Sequence, residues 1–292
     1  NQPLIPLCTQ YQYTAQRIDR FEDWFNQPGV GAANTWSLMH ANLRVGQPDL
    51  HPISGVGGTM QFGLHSVPDS LNPLLATLDD SFLVLDSMYS RLVRMDPLTG
   101  KPLPDLALAW RIESEGMGLR FTFFLHDNAT WHDGESFTAD DVAFTYNYLN
   151  NLPGPWPYNR PKPHIEFSSI EVIDNETLVI HTPLNGYFAI FDIASTLILP
   201  QHLWEGILQP AYFTNPRPVG TGPFQFDKQP EPGLIYLEYF PEYHYGLVGS
   251  REVAGFVDVS FLVWLSGGIF LIAMTLIGAY WFLRPRPHGF DN

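Results

Sequence analysis

From Val259 to Leu283 the chain runs for 25 residues without a single charged side chain. As an α-helix rising ~1.5 Å per residue, this run reaches about 37 Å, more than the roughly 30 Å hydrocarbon core of a bilayer. Soluble helices keep a polar face over such a length, so the run predicts a transmembrane helix through the lipid bilayer. Arg284 and Arg286 follow it at once. Cations concentrate on cytoplasmic flanks, which puts the tail 284–292 in the cytoplasm and the large N-terminal part outside. Tyr280, Trp281 and Phe282 then fall at the inner interface, with Phe261 and Trp264 nearer the outer one. The expectation is a single-pass protein of the cell membrane, with residues 249–258 as a juxtamembrane linker.

The 292-residue chain as a whole has the composition of a folded body, 45% hydrophobic, and its 26 prolines favour fixed loops over long helices. Fifteen basic against thirty acidic side chains give a net charge of -15. That balance repels a phosphate backbone, so nucleic acid is excluded as a partner, and the acidity reads as a solubilising surface. Cys8 is the only cysteine, which rules out a disulfide within the chain, and its neighbours lack metal-ligand spacing. Ten histidines include no His-x-x-x-His pair, and no Gly-x-Ser-x-Gly elbow occurs. No catalytic residue, metal site or cofactor is expected, and the protein reads as a non-enzyme. Asn1 is neither an initiating Met nor the start of a signal peptide, so an export signal is expected upstream.

Local patterns predict several elements. Asp80 is placed to N-cap a helix whose Phe82, Leu85, Tyr89 and Leu92 recur at helical spacing before Pro97. Leu119, Phe121, Phe123 and Leu125 alternate with Arg120, Thr122 and Phe124, the mark of a strand with one buried face. Thr138 with Asp141 three positions later forms a near capping box ahead of Val142, Tyr146 and Leu149. Segments 169–173 and 177–182 flank Asp174-Asn175-Glu176 as a hairpin, and 234–240 reads as a strand. Trp131-His132-Asp133-Gly134 reads as a structural turn in which Gly134 takes positive φ. Gly220-Thr221-Gly222-Pro223 fixes an unusual backbone path, but without the lysine and helix of a phosphate loop. Asn128-Ala129-Thr130 and Asn175-Glu176-Thr177 are sequons, making Asn128 and Asn175 glycosylation candidates wherever the cell glycosylates its exterior.

Three strings carry a resemblance by their order and spacing: Pro68-Asp69-Ser70-Leu71-Asn72-Pro73-Leu74, then Trp131-His132-Asp133-Gly134 with Phe137-Thr138-Ala139-Asp140-Asp141-Val142, then Val219-Gly220-Thr221-Gly222-Pro223-Phe224. Met95–Gly100, Leu103–Ala107 and Leu237–Tyr243 match between them. The stretch from about Gly57 to Gly246 resembles the first half of the family 5 extracellular solute-binding proteins, the peptide, dipeptide and nickel receptors of ABC importers. The resemblance implies an α/β lobe of the periplasmic-binding-protein type II kind over 51–248, a mixed sheet with flanking helices. It also implies a ligand groove around Ser66, Val67, Pro68, Asp69, Ser70 and Asn72, with Thr221 and Gly222 nearby.

The pattern breaks after Tyr243-His244-Tyr245-Gly246, where family members begin a second lobe and this chain runs on toward the membrane segment. The acidic residue by which peptide-binding members anchor the ligand's amino group lies in that lobe, so it is not carried over. Arg20–Phe25, Pro28-Gly29 and Asn34–Leu38 resemble a stretch found late in some archaeal-type members. Segment 1–50 therefore reads either as the tail of a preceding module or as a permuted end that packs back on the lobe. Two functions follow. One is a membrane-anchored receptor for a peptide or small solute, delivering it to an ABC permease. The other is a degenerate single lobe serving as an accessory or structural subunit among other membrane-protein subunits.

Overall fold

The structure, a computed structural model, describes residues 63–64, 66–152 and 163–245 together with scattered positions between 21 and 43. The expected transmembrane run, the linker, the tail, Cys8 and most of segment 1–50 lie outside the described residues. No helix among the described residues is long and apolar enough to cross a membrane.

In chain order the elements are β1 (Phe21–Glu22), β2 (Asn42–Leu43), α1 (Asp79–Met88), β3 (Val93–Met95), β4 (Pro102–Pro104), β5 (Ala107–Glu115), β6 (Gly118–Leu125), α2 (Ala139–Asn150), β7 (Ser169–Asp174), β8 (Thr177–Thr182), α3 (Ala189–Ala194), α4 (Gln201–Trp204), β9 (Phe224–Glu231) and β10 (Leu234–Tyr239). The central sheet has the order β5-β6-β8-β7. The expected mixed sheet is corrected here: every strand pairing among the described residues is antiparallel. For the β5–β6 and β7–β8 pairs the physical reason is connection length. β5 and β6 are joined by the two-residue loop Gly116–Met117, with Gly116 at φ 61°, and β7 and β8 by the turn at Asn175–Glu176. Such short links permit only antiparallel neighbours.

The alternation expected in β6 is present: Phe121, Phe123 and Leu125 are buried, joined on β8 by Leu178 and Ile180. The opposite face is charged, with Arg120 paired to Glu113 at 3.0 Å. Helix α2 lays Val142, Tyr146 and Leu149 into the core, and the Tyr146 hydroxyl donates to the carbonyl of Ile193 beside it. Its start follows the expectation, since the Thr138 N–H donates to Asp141 Oδ2 at 3.0 Å, the return arm of a capping box. A second core gathers around α1 from Leu71, Val84, Leu85, Met88, Tyr89, Leu199 and Trp204.

Helix α1 departs from its expected limits. Its N-cap is Leu78 rather than Asp80, and Asp80 accepts the N–H and hydroxyl of Ser66, each at 2.7 Å. The N–H groups of Thr77 and Leu78, which lead into the helix, are met from outside by Asp69. Helical geometry stops at Met88 because Tyr89 is extended, at φ -111° and ψ 143°, and the Met88 carbonyl accepts the N–H of Gly222 at 2.8 Å. Tyr89 and Leu92 are buried all the same, whereas Phe82 is 38% exposed, so the stripe does not extend along one helix.

Candidate functional site

The segment from Ser66 to Thr77 carries little regular structure and is shaped by its own polar side chains. Asp69 is its pivot. One carboxylate oxygen accepts the Ser81 hydroxyl at 2.6 Å and the N–H groups of Thr77 and Leu78 at 3.2 and 3.4 Å. The other accepts the Thr77 hydroxyl at 2.6 Å. Burial by itself raises a carboxyl, but the Ser81 and Thr77 hydroxyls and the two N–H groups outweigh it and hold Asp69 below its ordinary range. Asp69 therefore spends its hydrogen-bonding capacity on the start of α1.

Two asparagines tie this segment to residues 210–217. Asn72 is fully buried; its amide donates to the carbonyl of Phe213 at 2.7 Å and of Pro210 at 3.3 Å, while its own oxygen accepts the Leu74 N–H at 2.8 Å. Asn215 answers from the other side, donating to the Leu71 carbonyl at 2.8 Å and the Tyr89 hydroxyl at 2.9 Å. It does so at φ 50°, a left-handed conformation that asparagine tolerates better than most residues.

In the angle between these two loops and β9 lies a cavity of about 1010 Å³. Pro68, Asp69 and Ser70 form one wall, Tyr212 and Arg217 a second, Asp227 and Lys228 a third. The charges on the first and third walls are already paired, since Asp69 is bonded as above and Lys228 sits 3.0 Å from Asp227. Arg217 is exposed and has no ion pair among the described residues. A second cavity, about 410 Å³, borders Pro73 and Leu74 of the same segment, with Phe82 and the ion pair of Asp86 and Arg91.

The structure divides the residues expected at the groove. Pro68, Asp69 and Ser70 line the larger cavity, and the exposed Ser66 and Val67 stand just before them. Asn72, Thr221 and Gly222 are buried and shape the lobe from within. The Thr221–Gly222 turn is pressed against the end of α1, where a Cβ on Gly220 meets the Met88 carbonyl oxygen at 1.9 Å and one on Gly222 meets its carbon at 2.6 Å. Only residues lacking a Cβ admit that approach.

The Trp131–Gly134 turn is locked to this same loop. His132 N–H donates to the Gly220 carbonyl at 2.9 Å, its Nδ1 accepts the Gly220 N–H at 3.1 Å, and its Nε2 lies 3.0 Å from the Gly222 carbonyl. An acceptor at one nitrogen and a donor at the other assign the neutral Nε2–H tautomer. Burial depresses its pKa to about 4, against smaller opposing effects of the Gly222 carbonyl and Asp133. Gly134 takes φ 91° as expected, and Trp131 is buried with Nε1 directed at Asp141.

Asn128 and Asn175 are both exposed at turns. No group of three potential metal ligands occurs among the described residues. Sequence reasoning missed Tyr212, Arg217 and Lys228 as cavity residues and Asn215 as a loop tie. The Asn215-Pro216 dipeptide was a legible turn signal; nothing local marked the other three.

With this geometry in view, comparisons place the lobe among known proteins. A family profile described as bacterial extracellular solute-binding proteins, family 5 Middle, matches residues 101–257. The oligopeptide-binding protein AppA of Bacillus subtilis is 30% identical over 195 residues, which make up 65% of this chain and 35% of that protein. The solved structure of AppA with a nonapeptide superposes with a TM-score of 0.52 at 25% identity, covering 62% of this chain and 36% of that one. NikZ from Campylobacter jejuni, in complex with Ni(L-His), superposes with a TM-score of 0.51 at 26% identity, covering 62% and 35%. The chain thus spans about a third of the length of the relatives it matches. Both superpositions show the α/β fold of a periplasmic-binding-protein lobe.

Proposed function

The chain belongs to the bacterial extracellular solute-binding proteins of family 5, a family of receptors rather than enzymes, and from that premise we propose that it receives a peptide or small solute outside the cell for an ABC permease. The cavity of about 1010 Å³ beside Pro68–Ser70 carries this reading, together with the neighbouring loop that bears Tyr212 and Arg217. Its volume is of the order that small-molecule sites occupy, and its walls are held in place by buried hydrogen bonds rather than by the solute. The residues that receive the solute are Ser66, Val67, Pro68 and Ser70, with Arg217 opposite, while Asp69 lines the same wall and its carboxylate holds the start of α1. Asn72, Thr221 and Gly222 serve the site by fixing the loops that carry it.

In the same proposal the segment 259–283 anchors the receptor in the membrane, with the lobe outside and 284–292 inside. Domain limits follow as 51–248 for the lobe and 249–258 for the tether, with segment 1–50 completing the lobe or ending a preceding module.

Two measurements on the native protein test it. Intact mass and peptide mapping across 246–253 and upstream of Asn1 establish the extent of the product, and thermal shift against a panel of peptides, dipeptides and nickel-histidine reads binding. A product larger than 33.1 kDa that is stabilised by a panel member supports the receptor. A continuous product of that mass that no panel member shifts leaves an accessory lobe of a membrane complex instead.

A further inference from the structure

Arg217 lines the larger cavity and is exposed, yet its own loop holds its backbone. Asn215 and Pro218 are buried on either side of it, and Pro216 and Pro218 flank it directly. A proline fixes its own φ and keeps the residue before it extended. Asn215 also precedes a proline, but at φ 50°, and it is held there by its bonds to the Leu71 carbonyl and the Tyr89 hydroxyl. Residues 215–218 therefore set a guanidinium at the cavity wall on a backbone with little freedom left to lose when a solute binds.

The carboxylates on the other walls are already engaged. Asp69 accepts the hydroxyls of Ser81 and Thr77 and the N–H groups of Thr77 and Leu78, enough to occupy the roughly four lone-pair sites of a carboxylate. Asp227 lies 3.0 Å from the Lys228 ammonium, which is also 5.1 Å from the centre of the Tyr236 ring. An ammonium group entering the cavity would have to displace one of these contacts. A carboxylate has only to displace solvent from the exposed Arg217, whose planar fork of N–H groups matches two carboxylate oxygens at once. Apolar surface adjoins the cation: Tyr212 is 73% exposed, and Phe213 and Phe226 of the same lining are half-buried.

Resting on the receptor reading above, we infer that the solute of this cavity is a peptide whose free carboxylate is bound by Arg217, with a neighbouring apolar side chain packed on Tyr212. The matching part of a peptide is its C-terminal end. Arg217 is then the residue that sets specificity, separating free acids from their uncharged amides.

The full 292-residue chain in detergent is offered a random tripeptide library as free acids and the same library as C-terminal amides, with retained peptides read by mass spectrometry. Retention of acids over amides, enriched in apolar last residues, is expected. Amides retained only where they carry an acidic side chain also support the carboxylate site, and assign the group to the side chain. Acids and amides retained alike overturn the inference and leave the receptor standing. Retention of neither overturns it as well, and the thermal-shift panel then decides separately whether the receptor reading fails too. Arg217→Met isolates the residue: titration with a retained acid should show affinity falling roughly ten- to a hundredfold, to that of its amide. The melting temperature should stay unchanged, because the side chain is exposed. Arg217→Lys keeps the charge without the fork and should recover part of the loss. An equal loss for acid and amide, or no loss for either, refutes the assignment to Arg217.

Discussion

His132 donates its Nε2–H to the carbonyl of Gly222 at 3.0 Å, across 90 residues of chain. Because the same ring accepts the Gly220 N–H through Nδ1, protonating it replaces an acceptor by a donor that faces another donor. Two of the three strings that mark the family are thus one structural unit, held together by a neutral imidazole.

The unit makes stability acid-sensitive in a defined window. His132 falls from an ordinary 6.5 to about 4 in the folded lobe, and His126, through burial and the neighbouring His244, does likewise. Between those values the unfolded chain binds the proton and the folded one does not, so stability is full above pH 6.5 and is lost as pH drops toward 4. His132 alone accounts for a loss of about 2 kcal/mol between pH 7 and pH 5. Urea unfolding at the two pH values reads it, and His132→Asn should flatten the slope. An equally steep slope in that variant would disprove the assignment.

Glycine substitutions separate backbone strain from collision. At Gly134, φ is 91° and nothing lies within 4 Å of a Cβ, so Gly134→Ala costs only the left-handed penalty, about 1–2 kcal/mol. Gly222→Ala drives a methyl into the Met88 backbone at 2.6 Å. It should cost more than about 3 kcal/mol, because backbone cannot step aside as a side chain does. Melting temperatures of the two variants should rank accordingly.

The Arg94–Asp105 pair should behave non-additively. Burial raises the Asp105 carboxyl, yet the Arg94 charge, His244 and the Arg91 N–H hold it below its ordinary range. Removing Arg94 strands a buried carboxylate, so Arg94→Met is expected to cost about 3–5 kcal/mol. Adding Asp105→Asn removes the charge while retaining an oxygen for the Arg91 N–H. The double variant should therefore be more stable than Arg94→Met alone; chemical denaturation that finds the two losses simply additive contradicts this.

Asn215 offers a way to loosen the cavity at the residue of its lining that ties the two loops together. Asn215→Gly keeps the φ of 50° accessible but loses both amide bonds, whereas Asn215→Ala loses the bonds and is strained as well. Expected losses are about 2 kcal/mol for glycine and about 3 kcal/mol for alanine. Under the proposed function, solute affinity falls in both, read by calorimetric titration. Unchanged affinity would separate residues 210–217 from the solute site.

Much of the central sheet was legible in the residue order. The alternation from Leu119 to Leu125 foretold which face of β6 is buried, the Asp174–Glu176 turn foretold the β7–β8 hairpin, and Thr138 with Asp141 foretold the start of α2. These signals are local: a turn, a cap and a period of two are each written within a dozen residues. The order of the three strings was likewise enough to identify the family. What the order did not disclose was where α1 begins and ends, or that Asn72 and Gly222 lie inside the lobe. Helix α1 is entered under Asp69 and stopped where Gly222 meets Met88. The cavity loops are joined by bonds spanning 138 to 144 residues. Propensity carries no information about such distant donors and acceptors. They are brought together by the tertiary packing of the sheet and both cores, where burial favours pairing of polar groups.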